Sequence, residues 1–359
     1  MKEELSLDSI RKINSTLLAS LAEATRTSYG AGLLRFSEYC DREEISELRR
    51  MPASSFLLSG FIAEFSSTVS GSTIHCWMSG IRAWHILNNA PWHGGDEFVS
   101  QVKKGAIKLS PPSSKRPLRN PVTLEHMIAL QRSINLLSSL DVAVWALACV
   151  AFWGCCRLGE LAVKSEVSFD PAYNVDRNAR MTFTSSSSSR SSQESVSLHI
   201  PWTKTTREQG AEVNVTGHAK CSPVDALKAH LELSADAPKS SHLFSYRDQS
   251  GRWRPLTKAR FLDRCHLVWN SLGLLKIHGH SFRIGGATEL LLGGIPPHVV
   301  ASIGRWKSMA FLLYWRKVSE VVSNTFSSSY DPDRFQSIEK AFEDFRSRLK
   351  IPASAVSSS

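Results

Sequence analysis

The sequence has no apolar run long enough to cross a bilayer. Its longest uncharged apolar stretch, Val142 to Cys156, falls short of the roughly 20 residues a spanning helix needs and reads as a buried core helix. It has no C-x-x-C pair either. The seven cysteines stand singly except for adjacent Cys155 and Cys156, a spacing that fits neither a zinc site nor a disulfide framework and points to a reducing intracellular compartment. MKEELSLDSIRK contains no apolar signal segment, so secretion is not expected and the sequons at Asn14 and Asn214 are expected to be silent. Internal repeats are lacking, as are the phosphate-binding G-x-x-x-x-G-K-[ST], the dinucleotide G-x-G-x-x-G and the zinc H-E-x-x-H. A chain of this kind that cuts phosphodiesters must stabilise the transition state with its own cations and hydrogen-bond donors.

What is present is a chain of 359 residues, 42% hydrophobic, with ten tryptophans. That is enough for two domains with sizeable cores and excludes a wholly disordered protein. Lysine and arginine number 43 against 33 acidic residues, a formal charge of +10, of which residues 1–117 carry +2 and residues 118–359 carry +8. Such an excess suits a polyanionic partner, nucleic acid or an anionic membrane surface.

The first segment is expected to be helical. Tyr29, Leu33, Phe36 and Cys40, then Ile74, Trp77, Met78, Ile81 and Trp84, recur at helical spacing and read as core faces. KLSPPSSKRPLRNPV (108–122) interrupts that pattern and is expected to be an interdomain linker; its Lys115, Arg116 and Arg119 suit either a phosphate backbone or a solvated connector equally. Helical pattern resumes at Thr123 and runs through Val142–Trp153 to a turn at Gly154. Strand-like RMTFT (180–184), SVSLHIPW (195–202) and EVNVTG (212–217) follow, with a Ser-rich stretch at 185–192 expected to be an unpacked loop. From Ser222 the chain reads as helical again, with segments at 223–233, 258–272, 281–292, 297–303 and 309–318. The expected class is mainly α with a small antiparallel β-sheet, an α+β fold.

The cations that chemistry would need cluster in order. WGCCRLGEL puts Arg157 directly after the buried helix, with Glu160 three residues on and able to orient it. IPWTKTTREQG puts Lys204 at the end of a strand, where a β-turn can present its ammonium. In GHSFRIGG, His280 and Arg283 share a helical face and can donate to one phosphate. In GRWKSMAFLLY, Trp306 precedes Tyr314 by eight residues, about two helical turns. Taken singly, each has an ordinary explanation: Tyr314 and Trp306 as core, Lys204 as a turn charge, Arg157 with Glu160 as a surface ion pair. His278 and His280 have no acidic or cysteine partner nearby, so a metal site is not expected.

The ordered set Arg, Lys, His-x-x-Arg, Trp, Tyr resembles the tyrosine recombinase (phage integrase) superfamily over most of residues 10–320. The phrases TRTSYGAGLLRF, HSFRIGGATELL and GRWKSMAFLLYWR are most similar to the recombinases of eukaryotic mobile elements, the Crypton and DIRS-like groups, although Met309 stands where those often carry an acid. The resemblance implies a helical, SAM-like core-binding domain over 1–107, a linker over 108–122, a catalytic domain over 123–332, and a C-terminal helix and tail over 333–359. It implies Arg157, Lys204, His280, Arg283 and Trp306 as catalytic residues, Glu160 as their support, and Tyr314 as the nucleophile that forms a 3′-phosphotyrosyl link without metal or other cofactor. His280 then either donates to an oxygen or takes the tyrosine proton. Arg26, Lys115, Arg116, Arg119, Arg305 and Lys307 become candidate DNA contacts.

The expected function is DNA strand breakage and rejoining in recombination, integration or transposition, on double-stranded DNA, as a tetramer, with nuclear residence following from the substrate. Two other readings remain open: nicking and closing like that of type IB topoisomerases, and a domesticated DNA-binding protein without turnover. Phe335, Ile338, Phe342 and Phe345 form an apolar stripe that suits docking on a neighbouring protomer and packing on its own domain equally.

Overall fold

The computed structural model describes residues 6–114, 117, 119–188, 191–218, 220–293, 295–306 and 332–348, without the side chains of 186–193 and 332–335. Two compact units divide the chain, Met1–Leu118 and Arg119–Ser359.

The first unit is wholly helical among its described residues: α1 (Leu7–Ala19), α2 (Glu23–Arg42), α3 (Glu47–Arg50), α4 (Ser55–Glu64), α5 (Gly71–Leu87) and α6 (Glu97–Leu109). Serine hydroxyls start several of them. Ser54 accepts from the Leu57 N–H and Ser70 from that of Thr73, supplying acceptors that the first turn of a helix lacks. The stripes read from the sequence close on one another: Phe36 and Cys40 of α2, Phe61 of α4, and Ile74, Met78 and Ile81 of α5 are all buried. Edge-to-face contacts of Phe36 with Phe61 and of Phe65 with Trp77 fill the space between them.

The second unit begins inside the stretch expected to be a linker. Val122 is buried in its core, and its N–H donates to the Ser281 carbonyl at 3.0 Å, so the last residues before α7 (Leu124–Ser133) belong to this unit. At the centre lies α8 (Ser139–Trp153), buried without a break from Asp141 to Phe152 and ended by Gly154. An apolar run with no polar face can persist in water only if every side is covered. The cover comes from α7, α10 (Pro223–Leu233), α11 (Lys258–Ser271), α12 (Ser281–Leu292) and the sheet. Asp141, buried in the first turn of α8, accepts from Arg264 of α11 at 2.7 and 2.8 Å and ties the two helices together. At Gly286, α12 crosses α8 so closely that a β-carbon would lie 1.7 Å from the Phe152 carbonyl oxygen, which leaves room for glycine alone.

β1 (Met181–Ser188), β2 (Ser191–Ile200) and β3 (Ala211–Thr216) form an antiparallel meander in that order. Within the stretch expected to be an unpacked loop, residues 185–188 and 191–192 are instead paired strand. The register set by Phe183 opposite Val196 continues through Ser185 opposite Glu194 to Ser188 opposite Ser191. Backbone pairing needs no apolar side chain once the neighbouring rungs are fixed, so serine extends the hairpin although its composition reads as loop. A small hairpin, β4 (Ser245–Arg247) with β5 (Trp253–Pro255), falls between the segments expected to be helical at 223–233 and 258–272. Its strands are too short to show an alternating pattern.

After α12 come α13 (Pro297–Ile303) and the C-terminal α14 (Pro332–Arg348), which pack on α12 and on each other; α9 is the single turn Leu158–Leu161. The stripe on α14 faces its own unit: Ile338, Phe342 and Phe345 are buried, and Phe345 joins Cys155, Ile284, Ala287, Leu291 and Val300 in one cluster. The expected helix at 309–318 lies outside the described residues.

Candidate active site

The site is built where α8 ends. Beyond Gly154 the chain reverses through Cys155, a non-glycine residue at φ +46°, and then opens the short α9 with Arg157 as its cap. Three residues on, Glu160 reaches back: its Oε2 accepts the Arg157 backbone N–H at 3.0 Å and its Oε1 accepts Arg157 Nη1 at 2.9 Å. One buried carboxylate therefore fixes both the turn and the arginine side chain.

Glu160 has a second cationic partner that the sequence did not reveal. Arg305 Nη2 donates to Glu160 Oε2 at 2.8 Å, and Arg305, at φ +56°, keeps only 14% of its side chain exposed. Expected among the DNA contacts, Arg305 points inward and shares the carboxylate with Arg157. Nothing in GRWK distinguishes such an arginine from a surface one, because the contact spans 145 residues.

Arg283, in the first turn of α12, is 1% exposed. Nη1 donates to the Cys155 carbonyl and Nη2 to that of Gly304, both at 2.6 Å, and the guanidinium carbon lies 4.1 Å from the centre of the Trp306 ring. Two carbonyls and one aromatic face thus set its plane. The unusual backbone at Cys155 has its use here, since it turns that carbonyl toward Arg283. The Cys155 thiol, wholly buried, is pushed up to about 12 by its burial and remains a neutral core group.

His280 caps α12 and is half-buried. Burial lowers its pKa, and the positive charges of Arg283, Arg119 and Arg157 lower it further. The imidazole is accordingly neutral at neutral pH, with one nitrogen able to accept a proton. The same effect shows that Arg119, taken from the sequence as a linker residue, lies within electrostatic reach of the site.

Lys204 is exposed in the turn that joins β2 to β3. The turn closes through paired backbone bonds between Thr203 and Arg207, at 2.9 and 3.4 Å. Thr203, Thr205 and Thr206 of this turn line one side of a cleft of about 330 Å³, and Ser302, Arg305 and half-buried Trp306 line the other. Folding brings together Arg157, Glu160, His280, Arg283, Arg305 and Trp306, with the Lys204 turn at their border. Arg26 is exposed on α2 in the first unit. Tyr314, Lys307, Lys115 and Arg116 lie outside the described residues. Among the described residues no three His, Cys, Asp or Glu side chains gather as a metal site would require, and no helix is long and apolar enough to cross a membrane.

No protein-family model matches the chain, and no curated protein sequence matches it. Solved structures do. The XerH site-specific recombinase bound to palindromic difH substrate, in a post-cleavage complex, superposes with a TM-score of 0.53 at 15% identity, over 84% of this chain and 79% of that one. The Tn1549 transposon integrase, solved with transposon right end DNA, matches at 11% identity with a TM-score of 0.48, over 95% of this chain and 99% of that one. A mainly helical architecture with one small antiparallel sheet, superposed on XerH over most of both chains, gives this protein the fold of the tyrosine recombinases.

Proposed function

We propose that the protein breaks and rejoins strands of double-stranded DNA, with Tyr314 as nucleophile, in site-specific recombination or in the integration or transposition of a mobile element. One observation carries this reading: Arg157 and Arg305 share the Glu160 carboxylate, and Arg283 is held beside them by the Cys155 and Gly304 carbonyls, on the helix that His280 opens. Three guanidiniums gathered at one site suit a phosphodiester and its transition state better than a neutral substrate.

In this reading the Tyr314 oxygen bonds to phosphorus and the bond from phosphorus to the 5′ oxygen breaks. The tyrosine proton passes to His280, which burial and its cationic neighbours hold ready to accept it. The departing 5′ oxygen takes a proton from the Lys204 ammonium. Arg157 and Arg283 bind the non-bridging oxygens as negative charge grows on them, and Trp306 contributes only packing and an indole N–H. The phosphotyrosyl link conserves bond energy, so the reverse attack by a 5′ hydroxyl rejoins a strand. XerH was solved on a palindromic substrate; the assembly this reading calls for is a tetramer holding two duplexes. By motif resemblance the relatives of choice are Crypton and DIRS-like elements, acting on nuclear DNA.

A second reading, a DNA-binding protein without turnover, is favoured by the burial of Arg283, whose terminal nitrogens already donate to Cys155 and Gly304. A covalent trap separates the two. Wild-type protein incubated with nicked suicide duplexes is expected to form a denaturant-stable protein–DNA adduct that disappears in Tyr314→Phe. Retention of duplex without any adduct selects the second reading.

A further inference from the structure

We propose that Thr203 is the positioning residue for Lys204, its buried hydroxyl serving as the hub that holds the β2–β3 turn in the shape that presents the ammonium. The inference rests on the assignment of Lys204 as the acid that protonates the leaving oxygen. Thr203 is 2% exposed, whereas Lys204, the next residue, is exposed. Its Oγ1 accepts the backbone N–H of Thr206 at 3.1 Å and that of Thr205 at 3.3 Å, and it also hydrogen-bonds the hydroxyls of both. Both backbone donors on the far side of Lys204 thus converge on one oxygen, a side-chain-capped turn that fixes the φ and ψ angles on either side of the lysine. The exit is equally constrained, since Arg207 is held at φ +52° and its N–H donates to the Thr203 carbonyl at 2.9 Å.

The same three threonines face Arg305 and Trp306 across the cleft of about 330 Å³. The hub therefore sets both the shape of the turn and the side of it that meets the arginine site. A long lysine side chain on an unconstrained turn would sample many positions, and proton donation requires one within hydrogen-bond reach of the leaving oxygen. Valine matches threonine in shape but offers no acceptor, so Thr203→Val releases the turn while leaving the apolar packing in place. Serine restores the acceptor.

The test compares two suicide duplexes, one with the ordinary 5′ oxygen and one with a 5′-bridging sulfur, which departs as a thiolate and needs no acid. Lys204→Ala is expected to lose cleavage at least a hundredfold on the oxygen substrate and to recover on the sulfur substrate. Thr203→Val is expected to follow the same pattern with at least a tenfold loss, and Thr203→Ser to cleave both substrates close to the wild-type rate. Thr203→Val should lower the melting temperature by only a few degrees, as the loss of one buried hydroxyl does, and leave duplex affinity at the wild-type value. If Thr203→Val cleaves the oxygen substrate normally, or stays impaired on sulfur while Lys204→Ala recovers, the positioning role is overturned. If Lys204→Ala does not recover on sulfur, the assignment of Lys204 itself fails and the inference falls with it.

Discussion

Arg283 and Trp306 form a cation–π pair, the guanidinium carbon 4.1 Å from the ring centre, on an arginine whose terminal nitrogens both donate to backbone carbonyls. Lysine keeps the charge but not the planar fork that reaches Cys155 and Gly304 together. Arg283→Lys is therefore expected to destabilise the protein by about 2–4 kcal/mol, as lost charge-assisted bonds in a buried setting do, and to abolish the covalent adduct. Trp306→Phe keeps an aromatic face and should cost less than Trp306→Ala, which forfeits a cation–π contact of about 1–2 kcal/mol. Urea denaturation and adduct rates check both.

Glu160→Gln removes the only negative charge between Arg157 and Arg305 among the described residues. Leaving a buried guanidinium without its counter-ion costs about 3 kcal/mol. Cleavage should fall at least tenfold because Arg157 loses its fixed orientation, while duplex affinity, spread over many phosphate contacts, changes little. Comparable losses in affinity and cleavage would contradict a role confined to orientation.

Because burial and three neighbouring arginines lower the pKa of His280, its neutral form persists below the ordinary imidazole value near 6.5. The rate of adduct formation should be flat through neutrality and fall only as the pH drops through the lowered pKa. Arg119→Ala removes one of the charges responsible, which raises that pKa and moves the acid limb to higher pH. A pH–rate profile that does not shift in Arg119→Ala would show that Arg119 does not act on His280.

Two other histidines govern stability in acid. Burial lowers His230 to about 4 and His242 to about 3. The folded state binds protons there less readily than the unfolded chain, so their contribution is complete above about pH 6.5 and is lost progressively as the pH falls toward those values. Urea midpoints should decline between about pH 6.5 and 4, and His230→Asn should flatten the decline, since its Nε2 contact with the Leu243 carbonyl at 2.9 Å needs only a donor.

Gly286→Ala places a methyl group against the Phe152 carbonyl oxygen, a backbone atom that cannot move aside without separating α8 from α12. Destabilisation of about 3 kcal/mol or more is expected from such overpacking, read as a fall in melting temperature. Because α12 carries Arg283, adduct formation should fall as well, even at temperatures where the protein remains folded.

By itself the sequence determined the main helices and the residue types. Helical spacing marked α2 and α5 and the continuous apolar run marked α8, because these signals are local; the order of Arg157, Lys204, His280, Arg283, Trp306 and Tyr314 carried the resemblance to the tyrosine recombinases, which depends only on order along the chain. Tertiary structure decided the rest. That Arg305 turns inward to Glu160, that Arg119 reaches the field of His280, and that the α14 stripe packs on its own unit depend on contacts between residues far apart in sequence. The serine hairpin makes the same point from the other side. Its pairing comes from the rungs beneath it, and composition carries no record of a neighbouring strand.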